Sequence, residues 1–253
     1  MRKDQSTMPD VPPPDFVGAV AEIWSTVNYA AYHLAYTRVY LRTRALQTSV
    51  DELRRDEQAV RDQGQVDLFI CRAHLAAFFW QLHHVFEALE LAIRKGKKDY
   101  PTERYFYSAE RKLETIRQSA IPREIDAYRN EGHNIPAIIG QQWDADGNFV
   151  HHFLPSLARH EAKESIDLNE QLQTYFEYVE NVWRLFVPDP LKSKFPRSFR
   201  FPVTVPFFHL GEVPAEVRGL PQLEIVLEAS DRPVTPEPLG ESEPDAAPAH
   251  DLQ

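Results

Sequence analysis

The 253-residue chain has few of the residues on which common cofactor and phosphate sites are built. None of its nine glycines forms a phosphate-binding loop or a dinucleotide fingerprint, so P-loop NTPases and Rossmann enzymes are excluded and we expect no cofactor. The single cysteine, Cys71, excludes an intrachain disulfide and a cysteine-based zinc site. Because Cys71 falls in an apolar segment, we expect a reducing, cytoplasmic environment.

Long apolar runs and excess positive charge are also missing. Polar residues interrupt each hydrophobic stretch well before bilayer length, so we expect no membrane partner. The formal charge is −10, and half of it comes from the six acids and one arginine of residues 229–253. This negative net charge argues against nonspecific binding of nucleic acid over the whole surface, although local basic patches remain.

Helical periodicity dominates residues 16–190. An apolar stripe from Val20 to Leu41 predicts one helix of about thirty residues, with Asp15 as its N-terminal cap. The charged segment that follows is typical of a solvated helical extension, which we expect to end near Gly64.

A second, more apolar helix is predicted over residues 66–93. Apolar residues cover nearly its whole circumference, Trp80 among them, which is typical of a central helix. Gly96 is placed to cap its C-terminal end. A third helix should begin near Thr102 and restart at Pro122, and a fourth should begin near Asp167.

Two further segments have the pattern of strands. Apolar runs on both sides of Asp-Ala-Asp-Gly-Asn predict a β-hairpin at about residues 135–154, inserted between helices. Alternating residues at 201–208 and 223–229 predict a second antiparallel pair, and its prolines confine the first of these segments to a sheet edge.

These patterns together predict a mainly α protein with four helices and two small β elements. We expect a disordered lead at 1–15, a helical domain at 16–190, a β-rich appendage at 191–229 and a disordered, acidic, proline-rich tail at 230–253.

The richest cluster of chemically active residues follows the end of the third predicted helix. Arg129, Asn130 and His133 lie within residues 126–134, and Arg129 and His133 share a helix face if the helix persists. Cleavage of RNA needs proton transfers, which a histidine supplies near neutral pH, and stabilisation of negative charge, which a guanidinium supplies. The structural alternative is that Arg129 pairs with an acid, Asn130 caps the helix and His133 is an ordinary loop residue.

With its four helices and the Tyr128-Arg129-Asn130 and His133 motif, the chain resembles the HEPN superfamily over roughly residues 16–187. The spacing from arginine to histidine is shorter here than in the usual family motif. The resemblance implies a HEPN-like helical bundle that forms a homodimer or joins a protein complex. It further implies a metal-independent endoribonuclease of a toxin or defence system, with Arg129 binding the phosphate, Asn130 orienting the histidine or binding phosphate, and His133 transferring protons.

Basic and aromatic residues alternate just after the fourth predicted helix, which is a second candidate RNA-binding surface. Its cations would meet phosphates while an exposed ring stacks on a base. The alternative, which we favour, is a linker whose phenylalanines dock on the helices. The residues concerned are Lys192, Lys194, Arg197, Arg200 and Phe199.

Two other functions remain open from the sequence. The protein could be a noncatalytic helical interaction module, or a subunit of a larger complex, in which the arginine–histidine segment only secures a helix end. It could also be a metal-dependent bundle enzyme that uses His84 and Glu87, which are three residues apart on the central helix. Matching glutamate–histidine elements on other helices are missing, so we expect no metal site and favour buried, hydrogen-bonded histidines at positions 83 and 84.

Overall fold

The structure is a computed structural model, which describes residues 12–38, 57–130, 139–143, 149–153, 168–203, 223–230 and 234. Helix dominates these segments, as the sequence predicts, and antiparallel strand pairs complete the fold. The helices are α1 (Pro14–Glu22), α2 (24–38), α3 (Glu57–Asp99), α4 (Arg104–Arg117), α5 (Ala120–Asn130), α6 (Leu168–Arg184) and α7 (Asp189–Lys192). The strands are β1 (Ile139–Trp143), β2 (Phe149–Phe153), β3 (Ser198–Val203) and β4 (Leu223–Glu228).

The first predicted helix is interrupted at Ile23, so α1 and α2 are separate in the structure. The carbonyl of Val20 accepts a hydrogen bond from the indole nitrogen of Trp183 at 2.8 Å. This bond competes with the one that Trp24 would donate to the same carbonyl in a continuous helix. Asp15 is not the cap either, because α1 begins at Pro14, and proline is well tolerated in a first turn.

Helix α3 is longer than predicted at both ends. Residues 57–64, predicted to be the end of an extension of the first helix, belong to α3, since one glycine inside a helix costs only about 1 kcal/mol. Gly96 is not a cap, because the helix continues to Asp99. A Cβ atom at Gly96 would lie 2.0 Å from the Phe106 ring, so the glycine lets α3 and α4 approach closely.

The predicted restart of the third helix is confirmed. Helix α4 ends at Arg117, and α5 begins at Ala120, which leaves Pro122 in the first turn of α5. Ile125 is fully buried against the other helices, so α5 is held on the core along its length and its last residues, Arg129 and Asn130, lie at the rim.

Both predicted strand pairs are present and antiparallel. Ile139 pairs with Phe153 in the first, and Ser198 pairs with Glu228 in the second, which begins earlier than the predicted residue 201. Phe199 and Leu227 are buried in the same hydrophobic core as α1–α6, so the second pair packs on the helices. No helix in the described segments is both long and apolar enough to cross a membrane.

Candidate functional site

The exposed end of α5 lies beside an exposed tryptophan of α3. The guanidinium carbon of Arg129 is 4.7 Å from the centre of the Trp80 ring, which is a cation–π contact. Trp80 is 50% exposed, so the prediction that it belongs to the core is wrong. Among the described residues no carboxylate lies within ion-pair distance of Arg129, and its N–H donors remain available to a ligand.

The two neighbours of Arg129 in α5, Tyr128 and Asn130, differ in exposure. Tyr128 packs on Phe79, with 4.8 Å between ring centres, and this contact anchors the last turn of α5. Asn130, the last helical residue, is exposed. His133, the predicted proton-transfer group, lies outside the described residues, so its predicted role stays a prediction.

A buried histidine joins α3 to α5 next to this surface. His83 is 3% exposed, and its Nδ1 lies 2.5 Å from Asp126 Oδ1. Its Nε2 is 2.9 Å from Glu87 Oε1, yet this contact lacks the alignment of a hydrogen bond, so the Asp126 bond is the stronger attachment. The sequence favoured buried, hydrogen-bonded histidines at positions 83 and 84, which is right for His83, whereas the side chain of His84 is 57% exposed.

Charge pairs extend from Asp126 along the junction of α3, α4 and α5. Arg117 places one amino group 3.7 Å from Asp126 and the other 2.7 Å from Glu90, and Glu90 also accepts a hydrogen bond from Arg94. This chain of charged groups holds α4 and α5 against α3, and it therefore sets the position of the α5 end.

The electrostatic environment of this surface favours an ionised carboxylate at Glu87. Its pKa is lowered chiefly by the close contact with His83, and the nearby charge of Arg129 acts in the same direction. The surface thus presents a carboxylate, an indole and a guanidinium side by side on α3 and α5.

The second predicted RNA surface is arranged differently from the expectation. Phe199 is 2% exposed and packs on Trp24 and Phe176, so its ring is a core element and no base can stack on it in this conformation. The favoured interpretation, docking of phenylalanines on the helices, agrees with this packing, in which Phe195 also contacts Trp24.

The cations of this second surface remain near the protein exterior. Lys192 donates to Asp189 at 2.6 Å, and this pair lowers the pKa of Asp189. Lys194 and Arg200 are exposed, and Arg197 is partly buried. These cations therefore lie beside no exposed Phe199 ring on which a base could stack.

The alternative metal site receives no support from the geometry. Nδ1 of His84 is 3.5 Å from Glu87 Oε2, and the described segments contain no group of three histidine, cysteine or acidic side chains arranged to hold a metal ion. A histidine and a glutamate alone would leave most of a metal's coordination to water.

Sequence reasoning missed a second histidine pair, formed between α2 and α3. Nδ1 of His33 lies 3.0 Å from Nδ1 of His74, and the ring of Tyr36 stacks on His74 with 4.9 Å between centres. Burial, followed by the charge of His74, lowers the pKa of His33 to about 4. No local signal in the sequence joins two residues 41 positions apart. The exposure of Trp80, in contrast, has a signal, since His84 and Glu87 share its helix face.

No protein-family model, curated protein or solved structure matches this chain. The functional assignment therefore depends on the chemistry of the surface formed by Trp80 and Arg129.

Proposed function

We propose that this protein is a HEPN-like RNA-binding protein and that the Trp80–Arg129 surface is its RNA contact. The observation that carries this proposal is the cation–π contact between Arg129 and an indole that is 50% exposed. Single-stranded nucleic acids are bound by such combinations, because bases stack on aromatic rings while guanidinium groups donate to phosphates.

The contacts that hold Arg129 in place suit a role in RNA binding. Cation–π contact with Trp80 restricts the guanidinium without using its hydrogen-bond donors, and Tyr128 anchors the helix turn that carries it. A donor that is ordered before the ligand arrives loses less conformational entropy on binding. Asn130, exposed at the next position, adds an amide that can donate to phosphate oxygens.

Cleavage of the bound RNA is the finer part of the proposal. In this mechanism Arg129 stabilises the charge on the phosphate. His133, three residues beyond Asn130, takes the proton of the attacking 2′-hydroxyl or gives one to the departing 5′-oxygen, and water exchanges the other proton. Such chemistry requires no metal ion, because side chains supply the charge and one proton transfer, and water supplies the other.

Binding is tested by fluorescence anisotropy of a labelled single-stranded RNA titrated with the full chain. Arg129→Gln is expected to weaken binding by about tenfold, the equivalent of losing one charged hydrogen bond. Trp80→Leu is expected to weaken it similarly through lost stacking. Arg104→Gln is the matched control, since it removes an equal charge from the exposed start of α4. Absence of binding by the wild type, or equal losses in the Arg104→Gln control, would refute the proposal.

Cleavage is tested separately on a mixed RNA pool in the presence of EDTA. We expect wild-type cleavage to survive chelation and His133→Ala to lose it while retaining its helical circular dichroism spectrum. RNA binding without cleavage would limit the function to binding, and equal cleavage by both proteins would remove the assigned role from His133.

A second candidate function, a noncatalytic protein-interaction module, is favoured by one observation. Leu91 is 65% exposed and lies on the same face of α3 as Trp80, with His84 and Glu87 between them. Apolar side chains that stay exposed on one helix face are available to pack against a partner protein. Leu91→Ser separates the two functions, because it adds no charge and should leave RNA binding unchanged while weakening a protein contact made through this face.

A further inference from the structure

A cavity of about 380 Å³ lies between α3 and α4, on the side of the fold where α5 begins. This volume is within the range of small-molecule sites in proteins. Ile93 and Leu113, which are 2% and 3% exposed, form an apolar floor that is continuous with the core. Around this floor the walls are almost entirely charged.

The walls contain guanidinium groups from three different segments. Arg94 comes from α3, Arg117 from the end of α4 and Arg123 from α5. Arg94 and Arg117 share a single carboxylate, Glu90, whose two oxygens each accept from one of them. A guanidinium has five N–H donors, so each of these arginines retains donors beyond those given to Glu90.

The charges that line the cavity balance in number but not in their pairing. Three arginines face three carboxylates, and two of these groups also pair outside the lining, since Lys97 donates to Glu110 at 2.6 Å and Asp126 lies 3.7 Å from Arg117. Within the part of the chain that the structure describes, Arg123 has no acidic partner, and it is exposed at the rim. The guanidinium of Arg123 is therefore available to an anionic ligand.

We propose that this cavity binds a small organic anion, a carboxylate or a phosphate monoester, with an apolar body. The apolar body would lie on Ile93 and Leu113, and the anionic group would bind the remaining donors of Arg117 and Arg123. Planar guanidinium groups match the oxygen geometry of both carboxylates and phosphates, so the two anion types share one mode of recognition.

This site is distinct from the Trp80–Arg129 surface. Its lining includes neither Trp80 nor Arg129, and Arg123 precedes Arg129 by six positions on α5, a separation of roughly 9 Å along the helix axis. The proposal does not depend on RNA binding, and a failure of either leaves the other intact.

The test is isothermal titration of the full chain with two anions and their neutral analogues. The probes are 5′-AMP with adenosine as its analogue, and phenylacetate with phenylacetamide. We expect at least one anion to bind and its neutral analogue to bind at least tenfold more weakly. Binding of 5′-AMP alone identifies a nucleotide-type ligand, and binding of phenylacetate alone identifies a carboxylic acid.

Two variants connect binding to the cavity without disturbing the core. Arg123→Gln should weaken anion binding at least fivefold, and Gln118→Trp should abolish it by filling the cavity from its exposed rim. Arg111→Gln, an exposed α4 residue outside the lining, is the matched control. The proposal is overturned if neither anion binds at millimolar concentration, if the neutral analogues bind equally well, or if both cavity variants bind like the control.

Discussion

His33 and His74 face each other through their Nδ1 atoms, 3.0 Å apart, across the contact between α2 and α3. One nitrogen must donate a proton and the other accept it, so the bond requires at least one neutral ring. The rings of Tyr32 and Tyr36 surround the pair, and partial burial disfavours the charged form of both histidines.

This pair predicts a loss of stability in mild acid. The pKa of His33 is lowered from 6.5 to about 4 in the folded protein, so between these pH values the unfolded chain binds the proton more strongly. Its contribution is therefore complete above pH 6.5 and lost as the pH falls towards 4, and it amounts to about 1 kcal/mol after allowance for solvent screening.

Urea unfolding at a series of pH values measures this dependence. The fall in the free energy of unfolding between pH 6.5 and 4 should be smaller in His33→Gln than in the wild type, because the variant has no imidazole at this position. His84→Gln is the control, since His84 is exposed and should leave the wild-type profile unchanged. Identical profiles for wild type and His33→Gln would show that the pair does not carry the effect.

The close approach of α3 and α4 predicts opposite effects for two glycine substitutions. Gly96→Ala places a methyl group 2.0 Å from the Phe106 ring and should destabilise the fold by about 1–3 kcal/mol through overpacking. Gly18→Ala in α1 has open space around its new methyl group and should stabilise by about 0.5–1 kcal/mol through helix propensity. Thermal unfolding of both variants measures these two effects. An unchanged melting temperature in Gly96→Ala would contradict the close approach of α3 and α4 at this glycine.

The buried pair of Arg184 and Glu180 predicts a strong, non-additive effect. Arg184 pairs with Glu180, which is 0% exposed, and donates to the carbonyls of Lys192 and Phe195 at 3.3 and 2.9 Å. Arg184→Leu should destabilise by about 3–5 kcal/mol, because the carboxylate of Glu180 stays buried after losing its contact with the guanidinium. The double variant with Glu180→Leu should be less destabilised than the single one. Denaturant titration of the single and double variants measures their free energies of unfolding. If the effects of the two substitutions simply add, Arg184 and Glu180 do not act as a buried ion pair.

The helices and their apolar faces were predictable because they depend on local spacing. Ile125 and Leu113 lie on the buried side that periodicity assigns to them, and Pro122 restarts its helix as backbone sterics require. The exposure of Trp80 does not follow from apolar periodicity alone, because apolar residues surround nearly the whole helix. The polar residues His84 and Glu87 on the same face are the signal that this face meets solvent.

The candidate site was predictable only in part. Arg129 stands out in the sequence, but its partner Trp80 lies 49 positions earlier and meets it only in the folded chain. Phe199 shows the reverse case. Its alternation with cations is equally compatible with stacking on RNA and with docking on Trp24, and only the packing decides between them.

The hydrogen bond between His83 and Asp126 predicts a specific pattern in a double-mutant cycle. Asp126→Ala leaves the buried Nδ1 of His83 without its acceptor and should destabilise by about 1–3 kcal/mol. His83→Leu should be milder, because Asp126 is 36% exposed and water can solvate its carboxylate. In the double variant Asp126→Ala should add little to the loss from His83→Leu, since the bond is already absent. Urea unfolding of the four proteins measures the coupling free energy, and a value near zero would mean that this bond does not hold the α5 end against α3.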